Sequence, residues 1–332
     1  MKKEKKNYEI ASKREKLKIA VKSKLIRDSG KISENYLIGT VISVIGNTVL
    51  VSKDNSDDIF ECSVSGRVIS KNKKATLCTA GDRVKFLYEF SSMPDKLIGR
   101  IIEVEERLSR FSRKSPGKGY SEHVIASNLD NVLFVKSVFD PVYNKRLIDR
   151  MIIAAEIGGV KPALCINKID LTDELELFKE DLEIYTKLGI PIFFTSTVND
   201  AGFDEIKTYL RNKSTLFFGP SGVGKSSILN ILAGDELQKV REISERTGKG
   251  QHTTSFVKMI QLDESTFIFD SPGIREFAIW DLDRENLAFH FHDFDKFYPE
   301  CRFKPCTHTH EPNCAVIEAV EKEMIDPERY DS

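Results

Sequence analysis

Residues 214–234 read STLFFGPSGVGKSSILNILAG: an apolar run, a glycine-rich turn and a second apolar run in immediate succession. The first run is short and rich in aromatic and β-branched residues, so it reads as a buried strand, and the second as a helix. A strand that opens through a tight turn into a helix belongs to a mainly parallel sheet covered by helices on both faces. The surrounding sequence keeps that alternation from about His123 to Ile274. NVLFVKSV, KPALCINKID and IPIFFTS read as strands; NKRLIDRMIIAAEIGG, ELELFKEDLEIYTKLG and FDEIKTYLRNK read as helices between them.

Sheets of this kind bind ligands beyond the carboxyl ends of their strands, and the polar motifs all fall there. Gly219, Pro220, Ser221, Gly222, Val223, Gly224, Lys225, Ser226 and Ser227 match G-x-x-x-x-G-K-S between a strand and a helix. The glycines let the backbone wrap phosphates so that successive N–H groups point inward, at the positive end of the following helix. Lys225 is placed to reach β- and γ-phosphates and Ser226 to ligate Mg²⁺. A chance glycine-rich turn would lack this strand–loop–helix setting.

Asn167, Lys168, Ile169 and Asp170 form NKID at another strand end. Alone this string is weak; beside a phosphate loop it gains weight. The Asp170 carboxylate can accept from the N1–H and exocyclic amine of guanine together, a pair that adenine does not present. Leaving that carboxylate unpaired is costly, which is how such a site rejects adenine. Asn167 can tie the base loop down, and the Lys168 stem can cover the base. Thr195–Thr197 either support the loop or are an ordinary polar strand end. Downstream, FIFDSPG places Asp270 at the end of an apolar run as a Mg²⁺-side acid, and Gly273 where its N–H can turn toward a γ-phosphate. GKGQHTTS can act as a switch, with Thr253 or Thr254 as a Mg²⁺ or γ-phosphate ligand.

The base motif precedes the phosphate motif, the reverse of the order in ordinary GTPases. A circular permutation explains this, because moving the chain break between neighbouring termini preserves both sheet and pocket. It also runs the segment after Asp270 directly into the C-terminal region.

Before the α/β region, residues 36–105 read as about five short strands, with Gly46-Asn47 as a hairpin signal. A small closed barrel suits them, of the oligonucleotide-binding (OB) kind or, second, the SH3-like kind. Residues 106–122 read as a basic Ser/Gly/Pro linker. The formal charge of −1 hides a lysine-rich arm over residues 1–35, which is either a nucleic-acid contact or a solvated tail. No apolar block follows its basic residues, so no secretory signal is read, and no run is long and apolar enough for a membrane helix. A cytoplasmic protein is expected.

Three of the six cysteines cluster near the end as Cys301, Cys306 and Cys314, and with His308 they give C-x₄-C-x-H-x₅-C. Three thiolates and one imidazole suit tetrahedral, structural Zn²⁺, with His310 as the alternative fourth ligand. Residues 276–332 are read as a helical zinc-binding module, and 123–275 as the permuted domain. His290 and His292 read as packing or surface residues.

The combination of barrel, NKID, GPSGVGKSS, GQHTTS, DSPGIREF and Cys₃His module resembles the RsgA (YjeQ) family of small ribosomal subunit biogenesis GTPases. The resemblance covers the chain from about Tyr36. It implies a multidomain protein with an OB-like barrel, a circularly permuted α/β P-loop GTPase and a zinc module. It implies GTP and GDP as ligands, Mg²⁺ with GTP, and one structural Zn²⁺. It also implies the small ribosomal subunit and its RNA as partners, and no membrane. A monomer is expected. The alternative is an RNA-binding assembly module that uses GTP only as a conformational ligand; a P-loop ATPase or kinase is disfavoured by the agreement of base and switch motifs. The residue after Gly273 is Ile274, which cannot orient water as the Gln of Ras-type enzymes does. His252, beside Thr253 and Thr254, is the candidate catalytic group, against the plainer reading that it contacts RNA.

Overall fold

The computed structural model describes residues 36–69, 75–89, 96–115, 121–234, 256–273 and 277–332. The chain divides into two units, Met1–Leu37 and Ile38–Ser332; of the first, only Tyr36 and Leu37 are described, so the basic arm lies outside the described residues. Five strands come first: β1 Leu37–Ile45, β2 Thr48–Lys53, β3 Ile59–Ile69, β4 Arg83–Glu89 and β5 Ile98–Val104. Gly46-Asn47 turns β1 into β2, with Ile45 opposite Thr48. Pairing runs β1-β2-β3-β5-β4 and closes through β1–β4, and β3 lies parallel to β5. That closed Greek-key order is an OB barrel. Phe60 and Phe86 meet edge-on at 5.0 Å in its interior.

The second part is a parallel sheet with helices on its faces. Its strands are β8 Asn131–Ser137, β9 Lys161–Asn167, β10 Ile192–Phe194, β11 Ser214–Phe218, β12 Lys258–Gln261 and β13 Phe267–Asp270. They lie in the order β10-β9-β8-β11-β13-β12, with only β12 antiparallel. The helices are α1 Lys145–Ile157, α2 Leu175–Asp181, α3 Glu183–Lys187, α4 Phe203–Leu210 and α5 Lys225–Ala233. The run ELELFKEDLEIYTKLG, expected as one helix, breaks at fully buried Leu182 into α2 and α3. From β8 the chain moves outward through β9 and β10, then returns to β8's other side as β11. The carboxyl ends of β8 and β11 are therefore the point where strand order reverses; the phosphate loop opens there, after β11, and the NKID loop opens beside it, after β9. Barrel and sheet are continuous: Ser43 of β1 pairs with Lys258 of β12, and its Oγ donates to the Val257 carbonyl at 3.0 Å.

Residues 106–122, expected as a linker, contain β6 Arg110–Lys114, paired with β7 Glu122–Ser127. The physical reason is Phe111. Its fully buried ring lies 4.8 Å from Phe218, 5.8 Å from Phe134 and 5.6 Å from Phe277. A ring so placed fixes its backbone, and aromatic pairs of this kind contribute about 0.5–1.5 kcal/mol each beyond area burial.

The C-terminal part consists of short 3₁₀ turns followed by α6 Ala315–Glu321 and α7 Pro327–Asp331. Phe291, Phe294, Val316, Ala319 and Ile325 share a core with Ile153 of α1. One buried ionic contact pins it to the sheet layer. Arg329 of α7 is 4% exposed, bonds Asp149 of α1, approaches Asp293 at 3.2 Å, and lies over the Phe291 ring at 4.4 Å. Tyr185 donates to the same Asp149 oxygen at 2.8 Å. Removing one partner of a buried pair leaves the other charge uncompensated, at a cost of roughly 3–5 kcal/mol. Arg329→Met is therefore expected to lower the unfolding free energy by about that amount, read as a shift in urea midpoint; a shift under ~1 kcal/mol would show that the contact does not hold the two parts together.

Candidate functional site

The phosphate-loop sequence forms the expected strand–turn–helix unit, β11, residues 219–224 and α5. Lys225 is buried and folds back across the loop, its ammonium donating to the carbonyls of Gly219 at 2.8 Å and Pro220 at 2.7 Å. Burial pushes the Lys225 amine below its usual range, partly offset by the Asp270 carboxylate. Gly224 has φ +93°, and a Cβ there would lie 2.3 Å from the Asn167 side-chain nitrogen. Glycine is required at that position on both counts. Val223 is buried in the core shared with Leu133, Val135 and Ile228, which anchors the loop from below. Ser226 and Ser227, in the first turn of α5, are exposed.

The base-motif loop touches the phosphate loop directly. Asn167, fully buried at the end of β9, donates from its side chain to the Val223 carbonyl at 2.9 Å. It accepts from the Thr195 hydroxyl at 3.1 Å. Lys168 adopts φ +63°, which turns Ile169 and Asp170 into a short 3₁₀ turn. Ser196 donates to an Asp170 oxygen at 2.5 Å, holding the carboxylate toward the strand ends. Thr195 and Ser196, left open between support and an ordinary strand end, are thus both fully buried partners of the motif. The Lys168 ammonium donates to the Asp140 carbonyl at 2.5 Å, crossing from β9 to the loop after β8.

On the opposite flank, Asp270 ends β13, opposite Phe217 of β11. Burial pushes its carboxyl up to about 6 against the pull of Lys225 and Lys258. A buried acid of this kind facing a phosphate loop suits a cation in its vicinity. Ser271 donates to the Phe217 carbonyl at 2.7 Å, and Gly273 packs so closely that a Cβ there would lie 2.8 Å from the Ser221 nitrogen. Sequence motifs from β9, β11 and β13 thus meet along one sheet edge. His252, Thr253 and Thr254 lie outside the described residues, as does Ile274. Lys136 belongs to none of the sequence motifs, although it is the one charged residue in the apolar run NVLFVKSV; it is 2% exposed.

The four predicted metal ligands converge. The Sγ atoms of Cys301, Cys306 and Cys314 and a ring nitrogen of His308 all lie within 4.8 Å of one another and are buried. Cys314 lies 3.9 Å from Cys301 and 3.7 Å from Cys306, and His308 Nδ1 lies 3.3 Å from the Cys314 sulfur. Tetrahedral Zn²⁺ with bonds of about 2.3 Å separates its sulfurs by about 3.8 Å, so the donor set and its spacing fit that ion and are far too wide for a disulfide. His310 is exposed and points elsewhere, its Nδ1 at 2.8 Å from the Thr309 hydroxyl. Tyr330 donates to the His308 carbonyl at 2.5 Å, tying the cluster to α7. His292 does act as a surface residue: Asp295 and Glu156 flank its ring at 3.0 and 3.2 Å.

A family model described as RsgA GTPase matches residues 104–280. The small ribosomal subunit biogenesis GTPase RsgA of Chlorobaculum parvum is 40% identical over 300 residues, covering 89% of this chain and 96% of that protein. Among solved structures, YjeQ from Thermotoga maritima matches with a TM-score of 0.66 at 31% identity, over 89% of this chain and 95% of that one. YloQ, a circularly permuted GTPase, matches with a TM-score of 0.63 at 26% identity, over 91% and 93%. With its five-strand barrel, reordered α/β sheet and C-terminal Cys₃His cluster, this chain belongs to the RsgA family of circularly permuted GTPases.

Proposed function

We propose that the chain is a GTP hydrolase that assists late maturation of the small ribosomal subunit, with turnover stimulated by that particle. The observation that carries this reading is the 2.9 Å bond from Asn167 to the Val223 carbonyl, which joins a guanine-reading motif to a phosphate-reading motif as one bound GTP requires. In this reading Asp170 accepts from the guanine edge, Lys168 covers the base, and the backbone of Gly219–Ser227 cradles the phosphates. Lys225 turns from the loop carbonyls toward the β- and γ-phosphates. Ser226, Asp270 and Thr253 or Thr254 would hold Mg²⁺, which neutralises phosphate charge when bound. Gly273 offers its N–H to the terminal phosphate. The name of the Chlorobaculum relative supports the ribosomal partner, and that partner implies a cytoplasmic setting. The barrel and the lysine-rich arm are the proposed RNA contacts, and a monomer suffices for every role.

His252 is proposed from the sequence as the group that positions the attacking water, since Ile274 cannot. Purified protein is expected to hydrolyse GTP slowly and to accelerate at least tenfold with purified small subunits. His252→Ala is expected to keep GTP and subunit binding but lose most of the acceleration. A wild-type rate indifferent to subunits would favour GTP as a conformational ligand only, and full acceleration in the variant would remove His252 from the water.

Zn²⁺ is the proposed occupant of the Cys₃His cluster, where it would close a module with little core of its own. Protein purified without chelator should carry about one zinc per chain. Cys314→Ser should lose it and melt at a lower temperature. Metal-free protein with unchanged melting would contradict the assignment.

A further inference from the structure

Lys136 is the penultimate residue of β8, at the carboxyl end where strand order reverses. It is 2% exposed, and no hydrogen-bond or ion-pair partner of its amine is found among the described residues. A lysine whose side chain is so enclosed is costly to keep charged unless a negative group compensates it. The neighbouring residue shows what lies beside it: Gly219, the first residue of the phosphate loop, approaches so closely that a Cβ there would sit 2.2 Å from the Val135 carbonyl oxygen. Lys225 directs its own ammonium onto the carbonyls of that same Gly219 and of Pro220. Burial, and secondarily the Lys225 ammonium, push the Lys136 amine down to about 8. Two like charges therefore lie near enough to disfavour one another, beside the strand end from which the loop opens, an arrangement that an anion between them would relieve.

The side of the sheet decides which anion. Alternation along β8 puts Lys136 on the face of Val132 and Phe134, whose cluster includes Phe269 of β13 and has Phe277 packed against it. That is the flank where Gly273 meets Ser221, the terminal-phosphate side of the loop in the reading above. We propose that Lys136 is a second cation of the phosphate site, contacting the terminal phosphate and favouring the nucleoside triphosphate over the diphosphate. This rests on the chain being a GTP-binding protein and adds to it a residue that neither sequence motif contains.

Equilibrium binding of GDP and of a slowly hydrolysed GTP analogue, each with Mg²⁺, to the full chain and to Lys136→Met tests the assignment. The variant is expected to bind the analogue about tenfold more weakly or worse, with GDP affinity changed less than about threefold, while the nucleotide-free variant melts at the same or a higher temperature. A purely structural lysine would give the opposite pair of results: a lower melting temperature and an unchanged analogue-to-GDP ratio. The pH profile needs no variant. Triphosphate contact requires the ammonium form, so the wild-type preference for analogue over GDP should decline as pH rises from 7 through about 8 to 9. Lys225, Asp270 and Lys258, the other titratable groups of this corner, are common to both proteins, so whatever they contribute appears in both profiles and the decline in wild-type protein should exceed that in Lys136→Met. A wild-type preference flat with pH, or a variant that keeps it, overturns the proposal. Wild-type protein that binds neither nucleotide overturns the GTP reading and this inference with it.

Discussion

A single side-chain amide holds the two halves of the site in register. Asn167 donates to the Val223 carbonyl at 2.9 Å, accepts from Thr195 at 3.1 Å, and lies against a glycine whose Cβ it would exclude. Strands β9 and β11 are not neighbours; β8 lies between them. Loops at their ends would otherwise move independently. Because Asn167 is fully buried, losing its partner would strand a polar group at a cost of about 1–3 kcal/mol. The order in which the chain visits these strands is immaterial to this bond, and that is why a permuted connectivity can present the same pocket.

The permutation does alter what the site is attached to. The segment after β13 leads through Phe277, stacked on Phe111, into a part of the chain pinned by Arg329 to α1. The barrel joins at the other side through Ser43 and Lys258, where β12 meets β13. Elements flanking the candidate site are thus continuous with both the barrel and the metal cluster. Asp270 pairs with Lys258 of β12, which pairs in turn with Ser43 of the barrel, and the chain beyond Gly273 reaches Phe277 four residues later on its way to the metal cluster.

Much of this was legible because the motifs impose local chemistry that depends little on context. Gly219, Gly224 and Lys225 specify a turn into a helix, and the barrel strands follow from alternating apolar residues with Gly46-Asn47 between two of them. Cys301, Cys306, His308 and Cys314 are close enough in sequence to meet, though their spacing left His308 and His310 open; burial and ring orientation separate them only in three dimensions. Other features depend on contacts between distant segments. Phe111 sits in a stretch whose serines, lysines and glycines read as a linker, and only the rings of Phe134, Phe218 and Phe277 make it a strand. Arg329 looks like any terminal charge until Asp149, some 180 residues earlier, is seen beside it. Lys136 stands out in its apolar run, yet its position beside the phosphate loop depends on β11 having inserted next to β8.

The central claim is that one guanine nucleotide bridges the NKID and GPSGVGKSS loops, with Asp170 reading the base. Its most direct test is the affinity of wild-type protein and of Asp170→Asn for GTP and for xanthosine triphosphate, in which a carbonyl replaces the exocyclic amine. Wild-type protein is expected to prefer GTP by roughly a hundredfold and the variant to reverse the preference, because an amide donor then meets that carbonyl where a carboxylate accepted from the amine. Equal affinity of both proteins for both nucleotides would contradict it.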